Sequence, residues 1–252
     1  MSSDLTYPPV RKRRTWVHRY LPPEHGAWAM LVVPFVLGTS FAPWTWSAAL
    51  LLLTWILTYL VSYYSSQYLR ARRKQHYVAP LRLYSLVLAP LAVALLLVEP
   101  WLGLAALTLL PFSAVTLYYA RIGRPRALPS GLAAVTQACL MAPLAYAFSG
   151  GRDPVTAAEI LVVCWLYFAG TLLYVKSAIR NRGDKNYLRA SVAFHVAALA
   201  IASWIDPWLA LPFALFLWRA AAFPRRPLRP TQIGGFEVLN SAALVATVLL
   251  TQ

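Results

Sequence analysis

The stretch LYSLVLAPLAVALLLVE, residues 83–99, followed after Pro100 by WLGLAALTLLPFSAVTLYY, residues 101–119, decides the fold. Each run approaches the ~20 mostly apolar residues that an α-helix needs to cross roughly 30 Å of hydrocarbon. Only Glu99-Pro100 interrupts the apolar sequence before Trp101. That break reads as a helical hairpin, in which the proline stops one helix and the tryptophan anchors the next at the membrane interface. The same pattern recurs outward in both directions, at 26–43, 46–66, 130–149, 157–176, 190–205, 208–222 and 234–252, for about nine transmembrane helices. Pro43-Trp44, Gly150 to Pro154 and Asp206-Pro207-Trp208 read as further tight connections.

Composition agrees. The 252 residues are 60% hydrophobic and only 12% charged, against about 45–50% and 25% in soluble domains, and the mean hydropathy is +0.56. Disorder, a fibrous repeat and a soluble nucleic-acid binder all need far more polar sequence. The expected fold is all-α, a polytopic membrane bundle, with residues 1–21 as a basic tail and 22–252 as one transmembrane domain. The first apolar span follows that tail without a small-residue cleavage site, so it reads as retained rather than as a signal peptide.

The net charge of +15 is distributed in alternation. Of the 23 basic residues, 22 fall in the tail and in the loops after spans 2, 4, 6 and 8, leaving Arg152 alone on the other side. Lys and Arg in short loops are retained on the cytoplasmic side. This predicts an inside amino terminus, an outside carboxyl terminus and a multi-pass protein of the cell (inner) membrane. Such loops meet anionic lipid headgroups, so membrane lipids are expected partners and nucleic acid is not. Cys139 and Cys164 lie inside predicted spans and read as buried free thiols, with no zinc or redox spacing.

Polar side chains at membrane depth are costly, and each is a functional candidate unless it ties helices together. Most of them gather at the basic end. Span 1 opens on Pro22-Pro23-Glu24-His25-Gly26-Ala27-Trp28. Glu24 reads either as a favourable charge at a helix start or as part of a site, and His25 is a group that titrates near neutral pH. Tyr63, Gln67, Arg70 and Lys74 follow helical spacing and predict one face; Lys176 and Arg180 stand one turn apart at the end of span 6, with Arg182 beyond and Gly183 suited to the turn. Glu237 and Asn240 are i, i+3 neighbours in span 9, where the acid wants a basic partner; His195 and Gln137 lie within spans 7 and 5. Together they predict a net-positive cavity open to the cytoplasm.

These residues also carry a resemblance. Glu24-His25-Gly26-Ala27-Trp28-Ala29-Met30 with Pro34, Tyr174-Val175-Lys176-Ser177 with Ile179-Arg180-Asn181-Arg182-Gly183, Phe194-His195, and Arg229-Pro230 through Gln232-Ile233-Gly234 to Glu237 and Asn240-Ser241 are similar to the YwiC-like bacterial membrane proteins. That likeness covers nearly the whole chain and implies an architecture rather than a reaction. A weaker resemblance points to the UbiA-type intramembrane prenyltransferases, nine-helix proteins with a cytoplasm-facing cavity and two Asp-rich motifs that bind magnesium. Here Ser66, Arg70 and Lys74 stand where the first motif would be, and only Asp184 is left of the second, with Arg180 in place of its partner acid. Magnesium is therefore not expected, nor any other metal or cofactor.

Arg and Lys hold phosphate oxygens directly. The expected function is thus binding of an anionic amphipathic ligand, such as a prenyl or lipid phosphate, in a UbiA-like bundle related to a metal-independent transferase. The expected ligand-binding residues are Glu24, Trp28, Arg70, Lys176, Arg180, Arg182, His195 and Asn240, with His25 and Glu237 as candidate general acid or base. A small-anion transporter and a non-catalytic membrane subunit are the alternatives.

Overall fold

The computed structural model describes residues 20–22, 25–41, 45–225 and 230–251, and for His25, Arg225, Pro230 and Thr231 the backbone alone. The basic cluster of the tail, Glu24, the His25 ring, Pro43-Trp44, Arg226 and Arg229 lie outside the described residues. In chain order the helices are α1 (His25–Thr39), α2 (Trp46–Arg70), α3 (Gln75–Val98), α4 (Trp101–Arg121), α5 (Leu128–Cys139), α6 (Met141–Phe148), α7 (Pro154–Val175), α8 (Lys185–Ile205), α9 (Ala210–Ala222) and α10 (Pro230–Thr251). A π turn, Lys176–Arg180, continues α7; Pro207–Leu209 and Phe223–Arg225 are 3-10 turns on either side of α9.

The chain is a multi-pass membrane bundle. Seven helical segments are long and apolar enough to cross a bilayer: α2, α3, α4, α5 with α6, α7 with its π turn, α8 and α10. Two apolar helices, Gly26–Thr39 and Pro207–Ala222, are shorter. Every apolar run expected from the sequence is helical among the described residues, but the bounds differ at the basic end. There α2 runs on to Arg70, α3 begins at Gln75 and α8 at Lys185, because a helix satisfies its own backbone and need not stop where the apolar side chains do. The run at 130–149 is two helices with a break at Leu140. Prolines 34, 80, 90 and 111 sit inside helices, as neighbouring helices in a membrane protein allow.

The loops are built by their own side chains. Trp101 Nε1 donates to Glu99 over 2.8 Å at the α3–α4 hairpin, and Asp206 accepts from Trp208 N at 2.9 Å. Asp153 caps α7; bonds led by the Thr156 hydroxyl hold its carboxyl below the ordinary range. Gly183 takes φ +88° between the π turn and α8, a conformation open mainly to glycine.

Burial grades across the bundle. α7 is the centre, with Cys164, Tyr167, Phe168 and Ala169 in a core that also takes Leu37, Val135, Ala142, Ala198, Phe213, Phe216 and Leu244. Cys139 and Cys164 are both free and buried there. At the other extreme, only 6% of the most apolar stretch of α3, and of α4, is buried. Their exposed Leu86, Leu97, Leu104 and Leu107 are surfaces for lipid. Where helices approach closely, small residues make it possible: a Cβ on Gly38 would lie 2.3 Å from the Ala142 carbonyl oxygen and 2.7 Å from the Ala145 methyl, so α1 and α6 meet backbone to backbone.

Candidate functional site

One face of α2 forms the wall of a cavity of about 480 Å³. Trp55, Thr58, Tyr59, Ser62, Tyr63, Ser66, Gln67 and Arg70 line it in turn, a stripe at helical spacing about 22 Å long at 1.5 Å per residue. α1 adds Met30 and Leu31, α4 adds Thr116, α5 adds Ser130 and Gln137, and the loop before α5 adds Arg126. Arg180 reaches it from the π turn.

The lining changes character along its length. At one end stand Arg70, Arg126 and Arg180; hydroxyls and amides follow; Trp55, Met30 and Leu31 close the other. Neither carboxylate nor imidazole is among the lining residues that the structure describes. The cationic end is tied together. Arg70 donates to Gln67 Oε1, from Nε over 2.9 Å, and the Arg126 carbonyl accepts from Lys176 Nζ at 2.7 Å and Arg180 Nη1 at 3.4 Å. Gln137 Nε2 donates to Ser113 Oγ at 2.9 Å, an interhelical bond between α5 and α4. Trp55 Nε1, buried in the wall, has no acceptor among the described residues.

The π turn is what aims Arg180. Asn181 N donates to Lys176 O at 2.8 Å, five residues back, so the helix carries one residue more than an α turn holds. Such turns are frequent at functional sites. Ser177, Asn181 and Arg182 face away from the cavity into a second recess of about 820 Å³, with Asp184, Lys185, Leu188, Arg189, Val192, Ala193 and Ala221.

The expected site residues therefore fall into three places. Arg70 and Arg180 meet in the cavity, joined by Lys176 through Arg126. Trp28 packs edge-on against the cavity's Tyr59, ring centroids 6.3 Å apart. Arg182 belongs to the other recess. Lys74 leaves the α2 stripe, because the helix ends at Arg70 and its ammonium sits over Tyr68, 5.1 Å from the ring centre.

Glu237, Asn240 and His195 are in the interior. Glu237 is held by Arg219, whose Nη1 donates to Oε1 at 2.6 Å, and its Oε2 accepts from the Thr171 hydroxyl at 3.0 Å. The Arg219 guanidinium lies over the Tyr174 ring at 4.6 Å, and Tyr167 donates to the Glu237 carbonyl at 3.1 Å while meeting Ser241 at 2.8 Å. This network ties α7, α9 and α10 one residue short of the π turn's approach. His195 Nδ1 pairs with the Ser191 carbonyl at 2.7 Å, and its Nε2, without a partner, faces Gly170, where a Cβ would stand 3.0 Å away.

Sequence reasoning missed Arg126, Trp55 and Ser130, and read Arg219 as a loop charge although it is 1% exposed. For Trp55 a signal existed, the continuation of the Tyr63-Gln67-Arg70 stripe back through Ser62 and Tyr59. For Arg126 there was none.

A family model described as YwiC-like protein matches residues 21–146, which include α1, all of α2 and the α4–α5 part of the cavity wall. The chain belongs to the YwiC-like family. An uncharacterized protein of Haemophilus influenzae is 29% identical over 228 residues, covering 90% of this chain and 96% of that one. The uncharacterized protein YwiC of Bacillus subtilis is 28% identical over 232 residues, 91% and 97% of the two chains. No solved structure matches.

Proposed function

We propose that the cavity between α2, α4, α5 and the π turn binds the phosphate head of an amphipathic lipid, of the prenyl phosphate kind, with its tail toward Trp55. The observation that carries this reading is the lining itself: among the described residues, three arginines at one end with no carboxylate beside them, and an apolar far end. Guanidinium forks match phosphate oxygens bidentately, and the three arginines are exposed at the mouth where a headgroup would arrive. The graded wall suits a molecule with one charged end. Trp55 Nε1 is a spare donor along the way.

The site fits direct binding better than a magnesium-bridged one, since magnesium sites commonly use carboxylates, and the described lining residues include none. It also supports binding over transfer, because Glu237, one of the two candidate acid–base residues, is engaged by Arg219 away from the cavity. In the bilayer we place nine crossings, α1 and α9 included, in a UbiA-like bundle with the amino terminus and the three arginines on the cytoplasmic side of the inner membrane. The alternating distribution of basic residues supports that orientation.

Mass spectrometry of lipids co-purifying in mild detergent tests the reading, comparing the native chain with an Arg70→Ala, Arg180→Ala variant. Enrichment of a prenyl or other single-headed lipid phosphate, lost in the variant, is the expected result. Bulk phospholipids alone, unchanged by the substitutions, would overturn it.

A further inference from the structure

The second recess lies on the opposite side of the π turn from the cavity, and its lining is of a different kind. Lys185 and Arg189 are one turn apart on α8, and Arg182 joins them from the preceding turn. Asp184, the one acid among the lining residues, is occupied as the α8 cap: its Oδ1 accepts from Asn186 N at 2.9 Å and Tyr187 N at 3.0 Å. No ion pair with Lys185 or Arg189 forms among the described residues.

Down α8 from the cations, Leu188, Val192 and Ala193 continue the stripe at i+3, i+7 and i+8 from Lys185, the spacing of one helical face. Ala221 of α9 lies opposite. The exposed surface of α8 continues through Val196, and nearer the other end of the helix Trp204 is 90% exposed, as befits a tryptophan at the far interface. A cationic pocket at the end of an apolar stripe on a lipid-facing helix has the polarity of a phospholipid lying along it.

We propose that this recess is a separate binding site for an anionic glycerophospholipid, its phosphodiester between Arg182, Lys185 and Arg189 and an acyl chain along Leu188, Val192 and Ala193. Basic pockets between membrane helices hold such headgroups. The ligand differs from that of the cavity in its access: its chain lies on the outside of the bundle, in the bilayer, whereas the cavity's tail region is walled by α1, α2 and α5. The site stands whether or not the cavity binds a lipid phosphate.

Native mass spectrometry of the full chain, released from micelles containing either phosphatidylglycerol or phosphatidylcholine, tests it. Phosphatidylglycerol adducts are expected to survive where phosphatidylcholine adducts do not. Retention is expected to fall about thirtyfold in Lys185→Ala, Arg189→Ala and to be unchanged in Arg70→Ala, Arg180→Ala. Ala193→Trp, which fills the exposed groove and leaves every cation in place, is expected to lose the adduct as well. Glycerol 3-phosphate, a headgroup without chains, is expected not to compete. Equal retention of the two lipids, an adduct indifferent to Lys185 and Arg189 or to Ala193→Trp, or full competition by glycerol 3-phosphate would each overturn the proposal.

Discussion

At the scale of single residues, the acid in the last helix is held from several sides. Glu237 and Arg219 are both buried and joined by charge-assisted bonds, with Thr171 on the second carboxylate oxygen. A buried pair of this sort contributes little beyond a well-packed apolar pair, but removing one partner strands the other charge and costs about 3–5 kcal/mol. Glu237→Leu is therefore expected to lower stability by about that amount in denaturant unfolding of the detergent-solubilised protein, and Arg219→Met with Glu237→Leu to recover most of the loss. A single variant as stable as the native chain would show that the pair does not hold α9 to α10. That Glu237 needed a cationic partner was legible from its depth in an apolar run. Its identity was not, because Arg219 stands at the end of its own run, where charge is what topology requires and burial leaves no local signature.

At the scale of elements, the apolar helices were legible almost in full, since each must satisfy its backbone internally and cover itself with apolar side chains. The site was legible only in part. In an unbroken α-helix Lys176 and Arg180 share a face, and Arg182 projects elsewhere by a fixed angle. The i→i+5 bond from Asn181 to Lys176 adds a residue to that turn, in which Lys176 and Arg180 both reach the Arg126 carbonyl while Arg180 lines the cavity and Arg182 the recess. Nothing in the spacing of the basic residues encodes the extra residue. Its role is testable by taking it away: deletion of Ile179, which is 41% exposed, returns the turn to α register and swings Arg180 by about 100°. The expected outcome is loss of the co-purifying lipid phosphate with a thermal midpoint within a few degrees of the native chain. Unchanged lipid retention would show that Arg180 reaches the cavity without the π turn.

At the scale of the whole molecule, the count of crossings depends on the two short helices. Gly26–Thr39 and Pro207–Ala222 span only about 21 and 24 Å at 1.5 Å per residue, less than a hydrocarbon core. A helix shielded by protein does not have to match that thickness as one facing lipid does; α1 buries Phe35 and Leu37, and α9 buries Phe213 and Phe216 on one face while Leu211 and Trp218 are exposed on the other. Charge is what supports the proposed count of nine. With α1 and α9 crossing, 22 basic residues share one side with only Arg152 opposite; if α9 turned back, the Arg219-to-Arg229 segment would lie with Arg152, against the retention of Lys and Arg on the cytoplasmic face. Single cysteines at Gly151, Arg182 and Thr251, introduced with Cys139 and Cys164 replaced by Ala, separate the cases by labelling intact cells with an impermeant maleimide. Gly151 and Thr251 are expected to label from outside and Arg182 only after permeabilisation. Labelling of Thr251 on the same side as Arg182 would remove one crossing between them, and α9, the shortest helix in that half, is the one that would have to turn back.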